Sequence, residues 1–176
     1  ENNVYSMDIH GFIKDTILSA QKNKSGIEFT CQSNEYTYSI YPFNFVYGVT
    51  YTLNSNCIAI TYNVINIGDK PMYFSVGAHP GFNIPEMREW YLQFDNGCNP
   101  KEVLLKEGFI TGEYRDYSLY QNKYIMLDES MHNKLPDTLL LKNMSSGITL
   151  KSHATGKSVR VYYPDMKYLA LWKAKS

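Results

Sequence analysis

The chain lacks the features that would cross-link it or draw it towards a charged partner. Cysteine is scarce: Cys31, Cys57 and Cys98 are odd in number and widely spaced, with no Cys-x-x-Cys pair. That pattern argues against a disulfide framework and a zinc site, and fits a cytoplasmic location. An excess of one charge is also missing. Seventeen Lys and Arg balance 17 Asp and Glu, and no basic stripe with interleaved aromatics is present. Neither nucleic acid nor a membrane is therefore expected as a partner. No apolar run reaches the roughly 18–20 residues that a spanning helix requires, and no signal-peptide pattern is visible. Helical periodicity is missing too. No stretch longer than about ten residues keeps a 3.6-residue apolar repeat, which leaves helices the role of short connectors. The first residue is Glu1 rather than Met, so the chain is expected to be a piece of something longer.

What is abundant is tyrosine, 16 in 176 residues, which favours strands and whose flat ring also suits a sugar face. Strand signals dominate. Phe45, Tyr47, Val49, Tyr51 and Leu53 alternate with their neighbours, as do Ile58, Ile60, Tyr62 and Val64. With the polar turn Asn54-Ser55-Asn56 between them, residues 44–66 read as an antiparallel hairpin. Earlier strands are expected at 17–21, 27–32 and 36–41, and a buried strand at 72–76. Later ones are expected at 90–94, 103–105, 124–127, 138–141, 148–152, 158–163 and 168–172. Many strands at short, regular spacing predict an all-β fold, an antiparallel β-sandwich. With no linker, repeat or low-complexity segment, residues 1–176 are expected to form a single domain.

The densest chemical signal lies at the end of the expected 72–76 strand, in Val76-Gly77-Ala78-His79-Pro80-Gly81-Phe82-Asn83. Pro80 biases His79 towards an extended backbone, and Gly77 and Gly81 are expected to let the chain bend steeply around it. An imidazole, with an ordinary pKa near about 6.5, is suited to proton transfer near neutrality.

Four stretches, in order, resemble the aldose 1-epimerase or galactose mutarotase family, and within it the lactose-operon-associated branch. His10-Gly11-Phe12-Ile13-Lys14-Asp15 is similar to that branch's His-Gly-Phe-Ala-Arg-Asp motif. Tyr41-Pro42-Phe43-Asn44-Phe45, followed by Val49-Thr50-Tyr51-Thr52-Leu53, resembles its "YPFxF…ITYTL" hairpin. Residues 66–83 resemble the stretch that carries the catalytic histidine. Asp137-Thr138-Leu139-Leu140 and Tyr168-Leu169-Ala170-Leu171-Trp172 are similar to its "DxLI" and "YLGIW" segments. Lys14 departs from the motif by replacing an arginine, which keeps the charge and loses the planar two-pronged donor. The chain starts after the first strands of such proteins and stops before the strand that carries their catalytic glutamate. None of Asp15, Glu86, Glu89 and Asp128 falls where that base belongs.

The resemblance implies a β-sandwich that interconverts the anomers of an aldohexose such as galactose or glucose, with no cofactor and no metal. His79 would be the catalytic proton donor to the ring oxygen. His10 would bind a sugar hydroxyl, the alternative being a surface residue. Lys14 would donate to a hydroxyl or stand solvated. Asp137 would accept from two hydroxyls or close a turn on its own backbone. Phe82 would form an apolar wall against the sugar, with Trp172 a weaker candidate for that role that is expected in the core instead, and His132 and His153 are expected on the surface. Oligomeric state is left open. With the glutamate unmatched, these 176 residues are expected to show weak turnover or none. The alternatives to an enzyme are a non-catalytic carbohydrate-binding sandwich and a sandwich used for protein association.

Overall fold

The computed structural model describes residues 3–95, 98–127 and 138–172. The chain divides into two units, Glu1–Ala78 and His79–Ser176, in each of which the sheets are antiparallel.

The first unit holds a 3-10 turn at Ile13–Asp15, then β1 (Ser19–Lys22), β2 (Gly26–Gln32), the helix α1 (Glu35–Ile40), β3 (Phe45–Asn54) and β4 (Cys57–Asn66). The strands pair in chain order, β1-β2-β3-β4. The expected hairpin is there: Asn54 pairs with Cys57 across Ser55-Asn56, and Ser55 takes a left-handed φ of 52°. Register puts Ile27, Tyr51 and Ile60 in one cross-strand row and Phe29, Val49 and Tyr62 in another. The next rows, on the opposite face, are polar, with Glu28, Thr50 and Thr61 together. Period-two patterning thus sorts the two faces. Gly26 opens β2 because a Cβ there would meet the Tyr51 carbonyl oxygen at 1.9 Å.

Three expectations for this unit are corrected. Residues 36–41 read as a strand from Tyr36, Thr37, Tyr38 and Ile40, yet they form α1. Asn34 caps it: its side chain accepts from the Thr37 N–H at 3.0 Å, and the Thr37 hydroxyl accepts from the Asn34 N–H at 2.8 Å. Reciprocal capping with Thr37 fully buried outweighs the β preference of the tyrosines. Residues 72–76 form no regular strand, and Tyr73 is 80% exposed. The expected strand at 17–21 is shifted to Ser19–Lys22.

The second unit contains a 3-10 turn at Met87–Glu89 and eight strands: β5 (Trp90–Phe94), β6 (Lys101–Lys106), β7 (Phe109–Asp116), β8 (Tyr124–Met126), β9 (Thr138–Lys142), β10 (Gly147–Ser152), β11 (Ser158–Tyr162) and β12 (Tyr168–Trp172). They make two sheets, ordered β11-β10-β5-β8 and β12-β9-β6-β7. Leu92 and Phe94 from β5, Ile125 from β8 and Ile148 and Leu150 from β10 meet Leu139 and Leu141 from β9 in one core. This is the sandwich that the strand spacing predicts. Strand β7 was not foreseen. Every residue of it is exposed, Gly112 interrupts it at a φ of 86°, and its pairing with β6 is irregular between Val103 and Leu105. Those breaks erase the alternation that marks a strand. It is pinned instead by Arg115, whose guanidinium donates twice, at 2.7 and 2.8 Å, to the buried Glu102 carboxylate across the pair.

Leu141 is fully buried, so Leu141→Ala should cost about 2–5 kcal/mol by transfer and cavity terms, read as a lower urea midpoint. Tyr163 makes a different case. Its hydroxyl is buried with no hydrogen-bond partner among the described residues, and burial pushes the phenol up to about 12. An unfolded phenol ionises near about 10. The folded chain therefore holds the proton longer, and this contribution to stability falls as pH rises from about 10 to about 12. Tyr163→Phe should be neutral or stabilising at pH 8, with a larger gain over wild type near pH 11 by chemical denaturation. A clear loss at pH 8 would show that the hydroxyl is satisfied.

Candidate functional site

In the first unit, the candidate segment is a turn with left-handed residues that packs on an aromatic cluster. His10 is exposed and sits at a φ of 69°, followed by Gly11 at 71°. Two successive left-handed residues reverse the chain, and the Gly11 N–H donates to the Asp8 carbonyl at 3.0 Å. Phe12 comes next and turns inward. Its ring lies 5.9 Å from both Tyr41 and Phe45, and Tyr41 lies 4.8 Å from Phe43. The two motifs at 10–15 and 41–45 are therefore one physical object, an aromatic cluster with a polar turn on top. Tyr41 also donates its hydroxyl to the Tyr73 carbonyl at 2.5 Å, which tethers the stretch that leads to His79 in sequence. Burial pushes the Tyr41 phenol up.

Lys14 lies in the 3-10 turn and pairs with Asp15. That hydrogen bond, with the charges of Asp15 and Asp8 beyond it, raises its pKa against a smaller opposing effect of desolvation. The ammonium is thus a permanent donor near neutrality, part of whose capacity the neighbouring carboxylate already uses. A hollow of about 160 Å³ beside it is lined by residues including Asp8, Gly11, Phe12, Asp15 and Tyr36.

In the second unit, His79 is exposed rather than packed inward. Neither Gly77 nor Gly81 has a positive φ, and a Cβ on either would meet open space. The expected steep bend is absent, and Pro80 alone restricts the backbone beside the histidine. The imidazole centroid stands 6.0 Å from the Trp172 ring at 76°, an edge-to-face pair. Phe82 is 43% exposed, free to offer its ring to a ligand.

Trp172 is 58% exposed, which corrects its expected place in the core. Leu169 and Leu171 of β12 pack on the core, so strand alternation turns Tyr168, Ala170 and Trp172 to the other face. The signal was present in the spacing of the two leucines. The tendency of strand aromatics to be buried hid it. Asp137 and His132 lie outside the described residues, and His153 is exposed, as expected. Among the described residues no cluster of three or more His, Cys, Asp or Glu has metal-binding geometry, and no helix is long and apolar enough to cross a membrane.

The sequence matches the aldose 1-epimerase family along residues 1–176. The chain belongs to that family. Among its curated relatives, the chromosomal LacX protein of Lactococcus lactis subsp. lactis is 28% identical over 95% of this chain and 58% of its own length. A galactose mutarotase related enzyme from Lactobacillus acidophilus has a similar fold, with a TM-score of 0.86 at 24% identity over 96% of this chain and 58% of that one. A galactose mutarotase-like protein from Lactobacillus casei superposes with a TM-score of 0.77, also at 24% identity, over 96% of this chain and 60% of that one. The chain thus spans about three-fifths of the length of these aldose 1-epimerase relatives.

If Phe12 anchors the turn, Phe12→Ala should free it while leaving the strand pairing intact. The amides of Gly11 and Thr16 should then exchange roughly fivefold faster, as expected for losing an aromatic contact of about 1 kcal/mol. Unchanged exchange would remove the anchor from the account.

Proposed function

We propose that this aldose 1-epimerase family member binds a galactose- or glucose-like aldohexose and interconverts its α and β anomers. The observation that carries the reading is His79: exposed, on a family-like stretch, with its imidazole in an edge-to-face pair with the exposed Trp172 indole. The chemistry needs two proton-transfer groups and no redox cofactor. A base removes the proton from the anomeric hydroxyl as an acid protonates the ring oxygen. The C1–O5 bond then breaks to give the open-chain aldehyde. Rotation of the carbonyl and reversal of both transfers close the ring on the other face.

His79 is assigned the acid that serves the ring oxygen, and after ring opening it takes the proton back. Lys14 and His10 are assigned donors to sugar hydroxyls, Asp137 an acceptor and Phe82 an apolar wall. The Lys14–Asp15 pair supports a role in which a hydroxyl is both given to and accepted from at one place. Three free, dispersed cysteines support a cytoplasmic setting.

Optical rotation of freshly dissolved α-D-galactose and α-D-glucose tests the reading directly. With no residue of these 176 matched to the family's glutamate, acceleration by this chain should be weak. His79→Asn should abolish what there is, since a positioned acid or base usually contributes about 10²–10⁴-fold. Saturable sugar binding without acceleration would identify a carbohydrate-binding module instead. The absence of both effects would overturn the sugar reading.

A further inference from the structure

We infer that the outer edge of β4 is a docking surface for a second copy of this chain, the two β4 strands pairing antiparallel about a two-fold axis. None of its residues belongs to the proposed sugar site. β4 closes one side of the first unit's sheet, and no strand lies beyond it among the described residues. It is also the longest outer strand described, ten residues from Cys57 to Asn66. None of the ten is charged, proline or glycine, and the register with β3 runs without a bulge. An open edge is a template for strand addition, and proteins that keep one free blunt it by charge, brevity, proline or a bulge. The other outer strands show such devices. β1 has four residues and ends on Lys22, β7 carries Gly112, Glu113 and Arg115, and β11 carries Arg160. β8 and β12 are short. β4 has no such protection.

The ladder fixes which backbone groups face outward. Leu53 donates its N–H to the Ser25 carbonyl at 3.1 Å, and Ile67 donates to that of Asn44 at 3.0 Å. With Asn54 opposite Cys57, antiparallel alternation turns the N–H and C=O of Ala59, Thr61 and Asn63 towards β3. Those of Ile58, Ile60, Tyr62 and Val64 point away from the sheet. The side chains of the same four lie on the apolar face, in rows with Leu53, Tyr51, Val49 and Tyr47. Val49, in mid-sheet, is buried, whereas Ile58 is 64% and Ile60 42% exposed. Apolar surface is thus uncovered where backbone donors and acceptors are also open.

A second copy fits this edge on its own terms. Two-fold pairing centred on Thr61 sets Ile58 against Val64 and Ile60 against Tyr62, apolar on apolar. Centring on Tyr62 would instead set Ile58 against Asn66. On the other face Thr61 meets its own counterpart. With no charge in the strand, no like charges oppose one another. The pairing uses up both open edges and leaves the two short β1 strands, each ending on Lys22, at the outer sides. Assembly therefore stops at the dimer.

Analytical ultracentrifugation and hydrogen exchange of the full chain test the pairing together. Wild type should sediment as a monomer–dimer equilibrium. The amides of Ile60 and Tyr62 should exchange more slowly as concentration rises, while those of Thr61 and Asn63, already bonded to β3, should not change. Ile60→Pro removes an outward donor without touching the β3 ladder, and should raise the dimer dissociation constant roughly tenfold or more. Thr61→Lys alters only the polar face, so the apolar face is spared. It should weaken the dimer at low salt by setting two ammonium groups against each other. Mixing Thr61→Lys with Thr61→Glu should restore association as a heterodimer. A chain that stays monomeric at every soluble concentration, with Ile60 and Tyr62 amides exchanging freely, overturns the proposal and leaves the edge to a strand of another protein. A dimer indifferent to both substitutions lies on another surface and overturns it equally. No recovery in the Lys–Glu mixture removes the Thr61-centred register, and growth beyond the dimer removes the closed two-fold.

Discussion

The seam of leucines between the two sheets of the second unit is the constraint on which the rest of that unit depends. Leu139 and Leu141 of β9 are all but sealed from solvent, and β12 pairs with β9 so that Leu171 lies opposite Leu139 and Leu169 opposite Leu141. Directly opposed residues share a face, so four leucines point the same way. A slip of one residue would send both β12 leucines to solvent and drive Tyr168, Ala170 and Trp172 inward. Partial burial of Leu169 and Leu171, about 1–2 kcal/mol each, therefore selects which side of the sheet carries the indole. The ring that meets His79 is where it is because two leucines are where they are.

The first unit solves a different problem. A turn with two consecutive left-handed residues, His10 and Gly11, has little intrinsic preference for one shape. It is held by Phe12, which inserts between Tyr41 and Phe45. Phe45 opens β3 and is nearly fully buried, so the anchor is rooted in the sheet. Polar residues with assigned sugar contacts can then stand in solvent without losing their placement. Lys14, paired with Asp15, keeps its charge by the same local economy. In both units an irregular segment makes a ring contact with an aromatic on a strand, Phe12 with Phe45 and His79 with Trp172.

Much of this was legible before any coordinates. Period-two alternation located the β3–β4 hairpin and β5, β8, β9, β10, β11 and β12 to within a few residues. The motifs identified the family that the whole-length match shows. The failures have physical causes. The tyrosines of α1 favour strands, but a capping pair between Asn34 and Thr37 holds them in a helix. The β7 strand carries a glycine and an irregular pairing, so no alternation survives to be read. Residues 72–76 are apolar enough for a strand but have no strand partner among the described residues, and apolar composition alone does not make one. Trp172 is expected in the core because aromatics at strand spacing usually are, yet the alternation of its own strand turns it outward.

The amino-acid pattern by itself determined the all-β class, most strand positions and the identity of the chemistry-bearing residues, because these follow from local periodicity and residue type. Only the tertiary structure decided which residues they meet: Phe12 against Tyr41 and Phe45, Arg115 on the buried Glu102, and Trp172 beside His79. Those contacts join residues far apart in the chain. Their geometry depends on register and sheet face, which a linear pattern leaves open until the strands have paired and the core has closed.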